Sequence, residues 1–166
     1  MIPFPEPWLA GHVNRWHSGP SAPWLAHTND RTAGHSGRMG IMALHIWPDC
    51  TRELLAACLC HDLGEYGACD APYGAKADAT LRGALDRLED ATLHSMGMSY
   101  SVSADDATRL KFLDRLDAYI WAQLHAPQVL DWPEWQAARR ALYAMAEDMN
   151  VTHILDRPRD KHTATG

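Results

Sequence analysis

Four residues with cation-binding side chains stand where helical periodicity calls for core: His35, His61, Asp62 and Asp114. His35 shares a face with Met39, Met42 and Ile46. His61 and Asp62 close a face formed by Leu54, Leu55, Cys58 and Leu59, and Asp114 lies among Leu110, Leu113, Asp117 and Trp121. A buried carboxylate without a partner is costly. Two carboxylates and two imidazoles from three helices meet that cost together by holding one divalent cation. Imidazole with carboxylate suits Mn, Fe, Co, Ni or Zn better than Ca or Mg. Neighbours on a helix point about 100° apart, so His61 and Asp62 reach one ion only at a helix end, which Gly64 would supply. Each residue also has an ordinary explanation when taken singly: His35 as a cap or a satisfied core histidine, Asp114 as a partner of Arg115 or Lys111 or a solvated group.

The elements that must carry these residues are helical. The Pro-rich start (residues 1–8) reads as irregular, residues 9–16 as a short helix ending near Trp16, and 17–32 as a long loop anchored by Trp24 and Leu25. A helix carrying His35 ends before Pro48, and Thr51 is the expected N-cap of the next. Residues 64–75 read as a Gly/Pro loop, 76–97 as a charged helix, 104–125 as the strongest helix, stopped by Pro127, and 133–150 as the last. On the strongest helix, Leu110, Leu113, Asp117, Ile120, Trp121 and Leu124 form the expected core side. Period-two alternation is lacking, so the expectation is an all-α, compact helical bundle, one domain over residues 1–155 with a mobile tail over 156–166.

Composition narrows the function classes. With 166 residues, 46% of them hydrophobic, the chain can bury a core. Its 15 basic against 21 acidic side chains argue against a nucleic-acid polymer as partner, because phosphate contacts need a basic face. The cysteines Cys50, Cys58, Cys60 and Cys69 form no C-x-x-C pair, and Cys58 and Cys60 read as core fillers. No run is long enough for a membrane span and no secretory signal is visible, so the expected compartment is the cytoplasm.

The ordered set His35, His61-Asp62, Asp114 resembles the H…HD…D metal signature of the HD-domain phosphohydrolases. The likeness extends further. HDLGE (61–65), Asp70 followed by Pro72, and Lys76 resemble the HDxxE…GDxPxxxK block of the small HD nucleotidases. Asn14-Arg15-Trp16 resembles the RW element upstream of the first ligand, and DRLDAY (114–119) the final Asp motif. The likeness spans residues 9–125, and two subgroups fit: phage-type dATP triphosphohydrolases and bacterial 5′-deoxynucleotidases. The chain departs from the pattern at Gly34, where an acidic residue is usual, and at Ala68-Cys69-Asp70 in place of Thr-Gly-Asp.

The resemblance implies that His35, His61, Asp62 and Asp114 bind one divalent transition metal (Zn, Co, Mn, Fe or Ni), with additional metal ions admissible on a triphosphate. It implies Arg15 and Lys76 as phosphate contacts, Trp16 against the sugar, where it leaves no room for a ribose hydroxyl, and Pro72 with Tyr73 along the pocket. Glu65 or Asp70 would hold the attacking water or protonate the leaving oxygen. The implied activity is a deoxynucleoside triphosphate triphosphohydrolase preferring dATP, releasing deoxynucleoside and triphosphate. The alternative is a 5′-deoxynucleotidase acting on monophosphates, and a third reading is a non-catalytic, metal-stabilised helical protein. The implied partner is a small-molecule deoxynucleotide. A homo-oligomer is expected in the cytoplasm (the host's, for a phage-encoded chain), with Trp132 and Trp135 serving either an interface or the core. Asp117 needs no place in the four-residue signature, and pairing with Arg115 or Arg38, or a second ion, would each satisfy it.

Overall fold

Short polar side chains and prolines set the helix starts. Thr51 accepts a hydrogen bond from the backbone N–H of Leu54, Ser103 from Asp106, and Asp78 from both Thr80 and Leu81. A computed structural model describes residues 5–16, 23–68, 71 and 78–156. Their α-helices are α1 (Glu6–Ala10), α2 (Thr32–Ile46), α3 (Arg52–Cys60), α4 (Glu65–Ala68), α5 (Ala79–Ser95), α6 (Ala104–His125) and α7 (Pro133–Asp148). The only β pairing among the described residues is one antiparallel bridge, Asn14 to Arg31, so the protein is all-α.

Two helix ends close in the same way. After α5, Gly97 takes φ +68 and the Met98 N–H donates to the Leu93 carbonyl at 3.0 Å. After α7, Asn150 takes φ 57 and the Val151 N–H donates to the Ala146 carbonyl at 2.8 Å. Both are left-handed caps that satisfy otherwise orphaned carbonyls. Each also turns an apolar residue back onto its helix, since Met98 packs with Leu93 and Val151 with Ala146.

α2, α3 and α6 meet around Met39, Ala43, Leu54, Cys58 and Leu113. α6 and α7 share Phe112, Leu116, Leu142 and Ala146. Cys60 and Leu63 pack with Ala10 of α1 and Leu93 of α5. A 3-10 turn at Leu25–His27 packs Leu25 against Ala122, Ala126 and Val129, beyond the middle of α6. α2, α3 and α6 therefore meet within a set of four apolar clusters.

Several expectations need correction. The first helix is Glu6–Ala10 rather than 9–16, because Pro5 and Pro7 suit a helix start and residues 14–15 are drawn into backbone pairing with residues 30–31. Trp24 is not buried; it is 47% exposed and stacks edge-on to Trp132 at 5.6 Å. Leu59 faces solvent, as do Ile120 and Leu124 of α6. The buried line of α6 runs instead through Leu113, Leu116 and Asp117, with Phe112 to one side, because helices on two sides of α6 draw on different faces of it. The expected loop after Gly64 contains α4, and the last helix stops at Asp148. The expected tail lies outside the described residues beyond Asp156.

Candidate metal centre

His61 caps the C-terminus of α3, and Asp62 follows in the turn before α4. The helix thus ends just where adjacent side chains can converge. α2 supplies His35 from within the core, fully buried, and α6 supplies Asp114. His35 Nε2 lies 3.3 Å from His61 Nε2, 3.4 Å from Asp62 Oδ2 and 3.4 Å from Asp114 Oδ1. His61 Nε2 lies 3.2 Å from Asp62 Oδ1. His35, His61 and Asp62 thus each offer a ligand atom within 4.8 Å of the others, and Asp114 approaches this group through His35. Exposure rises from 0% at the His35 side chain to 42% at that of Asp114, so the centre is closed at α2 and open at α6.

The other ring nitrogens determine what faces inward. His35 Nδ1 is 2.7 Å from Asp117 Oδ2, a carboxylate held by Arg38 that can only accept, so Nδ1 carries the proton. His61 Nδ1 is 3.3 Å from the Cys58 carbonyl oxygen, another acceptor. Each Nε2 is then left to face the other imidazole and the nearby carboxylate oxygens. A divalent cation between these atoms, or a proton on one Nε2, would relieve their repulsion. Ligands about 2.1 Å from one ion are about 3.0–3.4 Å from each other, which matches the observed separations. The donor set fits a divalent transition metal.

Around this centre Arg15 reaches in from the segment bridged to Arg31. Its NH2 lies 3.5 Å from Asp114 Oδ1 and its NH1 3.8 Å from Asp62 Oδ2. NH1 is buried and makes no hydrogen bond among the described residues. Trp16 donates its indole N–H to Asp30 Oδ2 at 3.0 Å, and its ring packs on Trp135 beside Leu25 and Val129. Glu65 is buried at the start of α4, and its backbone N–H donates to the Asp62 carbonyl at 3.1 Å. Asp70, Pro72 and Lys76 lie outside the described residues.

Asp117, which the sequence placed on the core face of α6 with Arg38 or Arg115 as its partner, holds His35 and pairs with Arg38, while Arg115 is turned towards Met145. Asp30 joins Trp16 to Arg38, and nothing in a polar loop singled it out. Burial first, and then the charge of Asp62, holds the Tyr100 hydroxyl above the ordinary tyrosine value. Burial opposes the charge on Arg38, but its hydrogen bonds to Asp117 and Asp30 outweigh that and hold its pKa above the usual arginine value.

Comparison with protein families, with curated proteins and with solved structures gives no match to this chain. No described helix is long and apolar enough to cross a membrane.

Proposed function

We propose that this protein is a metal-dependent phosphohydrolase of deoxynucleotides, of the HD-domain kind that its motifs resemble. One observation carries the reading: His35 Nε2 stands 3.3–3.4 Å from His61 Nε2, Asp62 Oδ2 and Asp114 Oδ1, and His61 Nε2 stands 3.2 Å from Asp62 Oδ1, a donor set that could hold a cation. When bound, the cation supplies Lewis acidity towards a phosphoryl oxygen.

The remaining work falls to side chains. Arg15 keeps guanidinium donors to spare beside the two carboxylates, so an anionic phosphate entering from the open Asp114 side finds a charged, directional partner. Trp16 follows Arg15 directly and is fixed by Asp30, which makes it the candidate wall for the sugar. Glu65, with Asp70 as the alternative, is the candidate to hold a proton for the attacking water or the leaving oxygen. Cleavage at the α-phosphate of a deoxynucleoside triphosphate, dATP first, is the favoured reaction, giving deoxynucleoside and triphosphate. Removal of phosphate from deoxynucleoside monophosphates is the alternative. The substrate is a small molecule, the setting the cytoplasm, and the assembly a homo-oligomer.

The test is a panel of each dNMP, each dNTP and ATP with Mn, Co or Zn, detecting phosphate and triphosphate separately. Triphosphate from dATP is the expected product. Phosphate from every dNMP with no dNTP turnover would move the assignment to the nucleotidase. Metal binding without any turnover would leave a metal-stabilised helical protein, and no metal binding at all would overturn the reading.

A further inference from the structure

Arg38 stands one helical turn after His35 on α2 and joins two buried carboxylates. Its Nε donates to Asp117 Oδ1 at 2.7 Å, and its NH2 reaches Asp117 Oδ2 and Asp30 Oδ1, each at 2.8 Å. The guanidinium lies over the Trp121 ring, 4.4 Å from its centroid, so it is held by a flat face as well as by its edges. From Asp117 the next bond reaches His35 Nδ1 at 2.7 Å. From Asp30 the next contacts are the Trp16 indole N–H at 3.0 Å and, through the backbone carbonyl, the Arg15 N–H at 3.3 Å. A continuous chain of hydrogen bonds thus runs Trp16–Asp30–Arg38–Asp117–His35. Both carboxylates are nearly inaccessible to water, at 2% exposure for Asp30 and 3% for Asp117. Among the described residues Arg38 is the arginine or lysine paired with either.

We infer that Arg38 is a positioning residue for both sides of the site. Through Asp117 it fixes which nitrogen of His35 faces the cation position, and through Asp30 it fixes the Trp16 indole and the Arg15 backbone on the substrate side. This rests on the reading of His35 as a ligand and Trp16 as a substrate wall. The fork is what the role needs. With both Asp117 oxygens gripped, the carboxylate cannot rotate, and the His35 Nδ1–H has one acceptor in one direction. Without the fork the carboxylate turns, and the imidazole loses its preferred tautomer. Partners that orient a metal-ligating histidine in this way typically govern metal affinity by about 10–100-fold.

The test uses histidine and indole NMR of the zinc-free protein together with a zinc-binding titration. Wild type is expected to show His35 protonated at Nδ1. Arg38→Met is expected to mix the His35 tautomers, shift the Trp16 indole resonance and raise the zinc Kd by about 10–100-fold. Arg38→Lys keeps a charge for both carboxylates and so protects the fold, but a point charge cannot fork. If Arg38→Met does not fold, Arg38→Lys decides, with the same spectral changes and a zinc Kd raised about threefold or more expected. A folded variant with the wild-type histidine spectrum, the wild-type indole resonance and an unchanged zinc Kd would overturn the inference. If wild type binds no zinc, it is the metal reading that fails, and the His35 and Trp16 resonances alone decide the role of Arg38.

Discussion

A side chain at Gly64 would put its Cβ 2.7 Å from the backbone carbonyl oxygen of Glu89. The turn that carries His61 and Asp62 therefore lies directly on the backbone of α5, and only a glycine allows that approach. Gly67 meets the side chain of Thr92 in the same way, one turn along α5. Gly64→Ala must push α4 away from α5 and is expected to destabilise by about 1–3 kcal/mol, as overpacking does. The displacement also reaches Asp62, whose carbonyl bonds Glu65. Gly37→Ala is the control. Its Cβ meets nothing within 4 Å in the middle of α2, and it is expected to stabilise by about 0.5–1 kcal/mol. Urea unfolding of both variants checks the pair, and equal destabilisation would refute the packing argument.

The two glycines also show what a sequence conceals. The end of α6 was legible because Pro127 is a local signal, and the Thr51 cap was legible for the same reason. The four ligand candidates were legible because charge on an apolar helical face is a conflict within one element. Asp117 raised the same conflict, but its resolution lay in Arg38 and His35, 79 and 82 residues away. Periodicity gives a face and not a neighbour, so that pairing stayed open. Ile120 and Leu124 misled for the related reason that a 22-residue helix outruns the layer it packs against, leaving apolar residues near its end in water. The first helix was misplaced because a backbone bridge to Arg31 competed with local propensity.

Alkaline pH should destabilise the fold through Cys58. Its thiol sits among Met39, Ala43, Leu54 and Leu113, and burial pushes its pKa from 9.0 up to about 12. The unfolded chain releases this proton first, so the stabilisation is fully present below pH 9 and is lost as pH rises from 9 towards 12. Cys58→Ala should show a shallower decline of stability over that window than wild type, measured as the urea midpoint at fixed temperature. The native thiol should also resist alkylation near neutral pH, because the thiolate is the reactive form. Parallel declines in the two proteins would remove Cys58 as the source.

Thr51 ties the starts of two helices. Its hydroxyl accepts from the Leu54 N–H at 3.0 Å and donates to Asp106 Oδ2 at 2.8 Å, while Arg109 holds the other Asp106 oxygen at 3.2 Å. Thr51→Ala removes a cap worth about 1 kcal/mol and deprives a buried carboxylate of one donor. The expected loss is about 2 kcal/mol. Thr51→Ser keeps the oxygen and should recover most of it. Thermal or urea unfolding distinguishes them, and a serine variant as unstable as the alanine would mean that the methyl, not the hydroxyl, does the holding.

Metal should stabilise the native state, because the unfolded chain cannot assemble donors from α2, the end of α3 and α6. Zinc at about 100 times its Kd adds about 2.7 kcal/mol, which for a chain of this size is a rise of about 5–10 °C in Tm. His61 and Asp114 are the informative ligands to remove. Their side chains are 12% and 42% exposed, so His61→Ala and Asp114→Ala leave no sealed cavity, unlike a change at fully buried His35. Both variants should fold, lose most of the zinc-dependent rise, and lose phosphohydrolase activity. Removing His61 also relieves the crowding at His35 Nε2, so zinc-free His61→Ala should be no less stable than zinc-free wild type, whereas Asp114→Ala also loses its pairing with Arg15. A full zinc shift in Asp114→Ala would take Asp114 out of the ligand set and leave it as a partner of Arg15 alone.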